Sequence, residues 1–143
     1  MPAGAITLSD ITSADWSLML DSSKSGSGIG NVVQGIDDIN QCLSIIITTP
    51  PGSDPLRPTF GCDLLGWIDK PFSVARPGLV AAIVGAITTF EPRVQLLSVV
   101  IKPGGLQLGQ LIITITWRVA ASAIAGLGPT VGEQKLALTV PQR

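Results

Sequence analysis

Apolar residues follow two periodicities along this chain, and the change from one to the other organises it. Ile36, Ile39, Leu43 and Ile46 recur at steps of three and four, Cys42 and Ile45 widen that side, and Asn40, Gln41 and Ser44 lie opposite. This spacing predicts an amphipathic helix over residues 36–48. Asp37 or Asp38 sits at its N-terminal end, where free N–H groups and the helix dipole favour an acid. The β-branched run Ile45-Ile46-Ile47-Thr48-Thr49 has weak helix propensity, which leaves a strand as the alternative for its end. A longer helix is predicted over residues 73–91, with Pro77 in its first turn. Leu79, Ile83, Ala86 and Phe90 line one face and Val80, Val84 and Ile87 the next, a width that predicts burial on more than one side. Residues 62–69 read as a short helix offering Leu64, Leu65, Trp67 and Ile68 for packing.

From residue 93 the period shortens. Residues 93–102 read as a strand whose tail, Leu96 to Ile101, does not alternate cleanly, so both of its faces are expected to be covered. In residues 110–119, Leu111, Ile113, Ile115, Trp117 and Val119 face one way and Ile112, Thr114, Thr116 and Arg118 the other. With Pro103-Gly104-Gly105 as the turn, the two segments predict an antiparallel hairpin. Leu136, Leu138 and Val140 alternate with Lys135, Ala137 and Thr139, which adds a third strand. Helices first and strands afterwards predict an α+β domain, with N-terminal helices packed on a small, mainly antiparallel C-terminal sheet. Its free edges can be extended by strands of a partner. Upstream, Trp16, Leu18 and Leu20 share one face of a short strand, and residues 31–34 form another that enters the first helix. The Ser/Gly stretch 21–30 reads as a loop; its Gly28-Ile29-Gly30 lacks the lysine and preceding strand of a phosphate-binding loop.

Between the helices lies a stiff polar elbow, residues 47–61, with four prolines, two glycines and Arg57. Its prolines fix φ and remove donors, which excludes a helix interior or a central strand. The chain thus divides into an N-terminal arm (1–30), a core (31–119) and a C-terminal extension (120–143).

Composition narrows the function. The 143 residues are 45% apolar but only 13% charged, with net charge −1 and neither histidine nor tyrosine. About a quarter of residues are charged in an ordinary domain. So few charges suit either a subunit largely covered by partners or a monomer with a Ser/Thr-covered surface, and there is no electrostatic case for nucleic acid. No apolar run approaches about 18 residues, so no membrane span is expected, and no signal-peptide pattern begins the sequence. Cys42 and Cys62 fit no metal pattern; two free thiols and a disulfide are both open. No cofactor is implied. Without histidine, catalysis would fall to carboxylates. Asp63 and Asp69 read as solvated helix acids. Glu91 is the best placed, within Glu91-Pro92-Arg93 at the helix-to-strand joint. An acid and an arginine flanking a proline read as a fixed ion pair, with Arg93 or Arg57 bridging the joint to the elbow or presenting to a partner's carboxylates and carbonyls.

Arg57-Pro58-Thr59-Phe60-Gly61 in the elbow and Glu91-Pro92-Arg93 at the corner, at this separation and followed by a hairpin, resemble the baseplate wedge and sheath-initiator family of contractile phage tails. Type VI secretion baseplates and other contractile injection machines carry relatives. The resemblance covers roughly residues 32–119. It implies a structural subunit of the virion tail baseplate, present in the host cytoplasm during assembly. Its implied partners are wedge proteins, the tail sheath protein and hub or tube proteins, with no nucleic acid and no membrane. Its strands would complete a sheet with sheath arms and so template the first sheath ring. The implied structural and interaction residues are Arg57, Pro58, Phe60 and Gly61, then Glu91, Pro92 and Arg93, then Leu111, Ile113, Ile115 and Trp117 of the hairpin. Many relatives place Gly-Glu-Arg after the first helix; here Gly52 is followed by Ser53-Asp54, and the arginine comes only at Arg57. Some members carry a lysozyme-like label, so a glycan-cleaving enzyme using Glu91 is the alternative, with a transient assembly adaptor as a third reading.

Overall fold

The computed structural model describes residues 14–20, 31–68, 70–104, 110–120 and 133–141. A two-stranded antiparallel ribbon of β1 (Trp16–Leu18) and β2 (Val32–Gln34) leads into α1 (Ile36–Thr48). The short α2 (Leu65–Ile68) and the long α3 (Phe72–Phe90) follow, then β3 (Val94–Pro103), β4 (Gln110–Val119) and β5 (Gln134–Pro141). The last three form one antiparallel sheet in the order β3-β4-β5. The fold is α+β, with the helices packed on this sheet. The 21–30 loop with its glycines, Asp69 and the segment 121–132 lie outside the described residues.

The core is built from α1, α3, β3 and β4. Ile39, Leu43, Ile46 and Ile47 of α1 meet Leu79, Ile83 and Ile87 of α3 over Ile101, Ile113, Ile115 and Trp117 of the sheet. Burial of Ile46 and Ile47 keeps α1 helical through its β-branched end, overriding propensity. Leu136 and Leu138 of β5 pack against this core only in part.

Several expectations are corrected. Asp37 and Asp38 do lie in the first turn of α1, but the N-cap itself is Gly35, at φ 62, with no side-chain bond, and the buried Asp38 turns to Arg93. The short helix begins only at Leu65, which is exposed, while Leu64 before it is buried. α3 buries one stripe, Ala75, Leu79, Ile83, Ala86 and Ile87, and leaves Val74 and Val84 exposed. By length and composition α3 would suffice to cross a membrane, which the absence of a long unbroken apolar run concealed. One stripe of it, packed with α1 and β3, belongs to the core. β3 is covered on one face only. A bulge between Leu96 and Ser98 shifts its register, so Val94, Leu96, Val99 and Ile101 turn inward while Gln95, Leu97, Ser98, Val100 and Lys102 are exposed. The bulge is what blurred the alternation. Trp16, Leu18 and Leu20 do share one side of the ribbon, and that side is exposed.

Candidate functional site

The elbow is a chain of turns closed at its base. Cys62 N donates to Thr49 O (2.9 Å), and Gly52 N to Pro58 O (2.8 Å). Gly61, at φ +115, is what lets the ends meet: a Cβ there would collide with the carbonyl of Thr49. Asp54 organises the tip, accepting from Leu56 N (2.9 Å) and pairing with Arg57 Nε (3.3 Å). The Leu56 amide and, after it, Arg57 hold the Asp54 carboxyl below its ordinary value. The Arg57 guanidinium lies over the Phe60 ring (4.5 Å), and Phe60 meets Phe90 edge-on (5.1 Å, 62°). The elbow is thereby fastened to the C-terminal end of α3.

That end turns sharply. Glu91 N donates to Ile87 O (2.9 Å), closing α3, and Val94 N donates to Glu91 O (3.2 Å). Glu91 to Val94 is therefore a β-turn, with Pro92 at the position where its fixed φ is favoured. The turn folds Arg93 back on Glu91 in a two-bond fork, Nε to Oε1 (2.7 Å) and Nη2 to Oε2 (2.8 Å). Nη1 reaches Asp38 of α1 (2.9 Å) and Asp15 beside β1 (3.2 Å), and Nη2 reaches Cys42 Sγ (3.5 Å). Every guanidinium N–H is thus used. The hydrogen bonds to Glu91, foremost, raise the Arg93 pKa. Burial, then the Asp38 and Glu91 charges, push the Cys42 thiol up despite Arg93. Both cysteines are free thiols, and neither is poised as a nucleophile.

Elbow and corner enclose an open cleft of about 450 Å³, lined by Cys42, Ile45 and Ile46 of α1, Arg57 and Phe60 of the elbow, and residues 90–93. The two arginines divide the work. Arg93 is the internal bridge, whereas Arg57 sits at the cleft with 68% of its side chain exposed, and its ion pair goes to Asp54 rather than to the corner. Pro58 is exposed on the elbow. Leu111, Ile113, Ile115 and Trp117 are not surface residues: they lie buried on the central strand, flanked by β3 and β5. Asp15, Asp38 and Cys42 join the corner from 78, 55 and 51 residues away, and no local spacing signals such partners. Gln41, read as a polar-face residue, ties α1 to β1 through Ser17 Oγ (2.9 Å) and Leu18 O (2.7 Å). No metal-ligating cluster occurs among the described residues.

The model of the family described as baseplate wedge protein gp25 matches residues 33–123, from β2 through α1, elbow, corner and β4. The chain belongs to the baseplate wedge protein gp25 family. Membership places it among the structural components of contractile-tail baseplates. The gp25 match stops short of β5. Among solved structures, a Geobacter sulfurreducens protein provisionally named a tail lysozyme has 23% identity and a TM-score of 0.63, over 89% of this chain and 97% of that one. A chain of the anti-feeding prophage baseplate has 23% identity and a TM-score of 0.59, over 66% and 76%. A chain of the post-contraction pyocin R2 baseplate has 21% identity and a TM-score of 0.48, over 80% and 93%. For the first two, at these identities, the likeness is one of fold. No curated protein is a significant match.

Proposed function

We propose that this gp25-family chain is a non-enzymatic wedge subunit that joins the baseplate wedge to the sheath and templates the first sheath ring by strand pairing. The observation that carries the reading is the family match over residues 33–123, in a chain whose small sheet ends in strands with nothing paired beyond them among the described residues. Such edges recruit strands. The clamp at Arg93 supports a bracing role, since it ties the corner to α1 and to the residue preceding β1. The elbow–corner cleft, with Arg57 exposed beside it, would seat a wedge neighbour.

The lysozyme name of one similar structure favours a second reading, glycan cleavage by Glu91. The geometry weighs against it. Glu91 is buried, and both its carboxylate oxygens are engaged by Arg93, which leaves no free acid for a substrate. The test is assembly with and without this chain. Tails lacking it are expected to form baseplates with no ordered sheath, and the chain is expected to remain in purified particles. Purified protein should release no fragments from peptidoglycan. Sheathed tails in its absence would refute the structural role, and peptidoglycan cleavage lost in Glu91→Gln would establish the enzyme.

A further inference from the structure

The two edges of the three-stranded sheet are not equivalent. Residues of an antiparallel strand turn their backbone groups alternately to one neighbour and the other. Gly104 N donates to Gln110 O, and Ala120 N donates to Arg93 O. Even-numbered β4 residues therefore bond to β3, and odd-numbered ones turn toward β5, opposite Val140, Leu138, Leu136 and Gln134. It follows that Lys135, Ala137 and Thr139 point their N–H and C=O groups away from the sheet, and their side chains are exposed as well. On β3 the outward groups belong to Val94, Leu96, Val99, Ile101 and Pro103 by the same alternation across the bulge.

The β3 edge is blunted everywhere but at Val99 and Ile101. Val94 N is spent on Glu91 O, the bulge between Leu96 and Ser98 breaks the line, and Pro103 has no N–H to give. These are devices that discourage edge pairing. The ribbon edge at β1 is closed differently. Its outward groups at Leu18 and Leu20 are occupied by the Gln41 carboxamide, which donates to Leu18 O (2.7 Å) and accepts from Leu20 N (3.0 Å), as a neighbouring strand would. β5 is open between its ends: Pro141, which turns outward, has no N–H to give, but Lys135, Ala137 and Thr139 keep theirs. Its eight pairs with β4 run without a register shift, and Lys135 is its one charge.

We propose that β5, through residues 135–139, is the edge on which a strand of another tail subunit pairs. This rests on the strand-pairing reading above and names the site within it. The incoming segment is extended and alternating. Its apolar side chains would lie beside half-buried Leu136 and Leu138, and its polar ones beside Lys135, Ala137 and Thr139, with an acid facing Lys135.

Proline substitution separates the edges. Ala137→Pro removes an outward N–H without breaking a bond to β4, and Val99→Pro does the same on β3. Thermal melting of each variant checks its fold, and the yield of sheathed tails reads recruitment. Ala137→Pro is expected to fold and to lose recruitment about tenfold or more, with Val99→Pro close to the parent. A folded Ala137→Pro that recruits normally overturns the assignment. If Val99→Pro alone fails to recruit, pairing occurs at β3: the assignment falls and the strand-pairing reading stands. If both fold and both recruit, the two fall together. Should Ala137→Pro not fold, a photo-crosslinking residue at Thr139 in assembled tails decides. An adduct mapped to an extended segment of another tail subunit supports β5, and its absence from intact tails overturns it.

Discussion

Arg93 joins parts of the chain that no sequence pattern links. The Glu91–Arg93 pair was legible from its own residues, because a proline between an acid and an arginine makes a turn that brings them together. Asp38 and Asp15 were not: Asp38 reads as an acid at the start of α1, where it does lie, and only the tertiary fold turns it onto Arg93. Glu91 and Asp38 are both buried, so Arg93→Ala strands two carboxylates and is expected to cost about 3–5 kcal/mol. Arg93→Lys keeps the charge but loses the fork, and should recover only part of that. Chemical denaturation of the three proteins checks the order. Cys62 gives a pH signature. Burial, with a smaller push from Asp63, raises its thiol from 9.0 to about 11. The folded state therefore holds a proton that the unfolded chain releases between those values, and stability falls as pH rises from 9 to 11, by roughly 2–3 kcal/mol. In Cys62→Ala that share of the alkaline loss should vanish, measurable as a flatter denaturation midpoint against pH.

At the scale of elements, periodicity located α1, α3 and the three strands of the sheet closely, because each carries a long stripe set by the core. It was weaker where a local irregularity breaks the stripe, as at the β3 bulge, and it did not reveal how widely α3 is exposed. The glycines separate these cases experimentally. Gly61 combines positive φ with a Thr49 carbonyl in the space of its missing Cβ, so Gly61→Ala should open the elbow and cost upwards of about 1–3 kcal/mol. Gly78 lies under the Trp67 ring, which Lys70 covers from 4.0 Å. A methyl group at Gly78 would lift the indole and loosen α2 from α3, visible as a change in Trp67 emission. Gly85 is the control on the same helix, with nothing within 4 Å of a built Cβ. Gly85→Ala should stabilise by roughly 0.5–1 kcal/mol through helix propensity alone. Opposite signs at Gly78 and Gly85, measured as melting temperatures, would trace the boundary between the packed and open faces of α3.

For the whole molecule, stability grades across the sheet. Trp117, Ile113 and Ile115 on β4 are at 0% exposure, whereas Leu136 and Leu138 on β5 are half-buried. Ile115→Ala should therefore cost about 2–5 kcal/mol, and Leu136→Ala a good deal less, because its methyl groups already touch water. Amide exchange resolves the same gradient one residue at a time. Even-numbered β4 amides, held by β3, should be the slowest to exchange. The Leu136 and Leu138 amides, held by β4, should exchange faster because β5 is anchored by less buried surface. Those of Lys135, Ala137 and Thr139 have no strand beyond them among the described residues and should exchange fastest of all. A partner strand on β5 would invert one part of this pattern: in assembled tails the odd-numbered β5 amides would become protected while the outward β3 amides of Val99 and Ile101 stayed as in the free chain. Protection appearing on β3 instead would move the recruiting edge to the other side of the sheet.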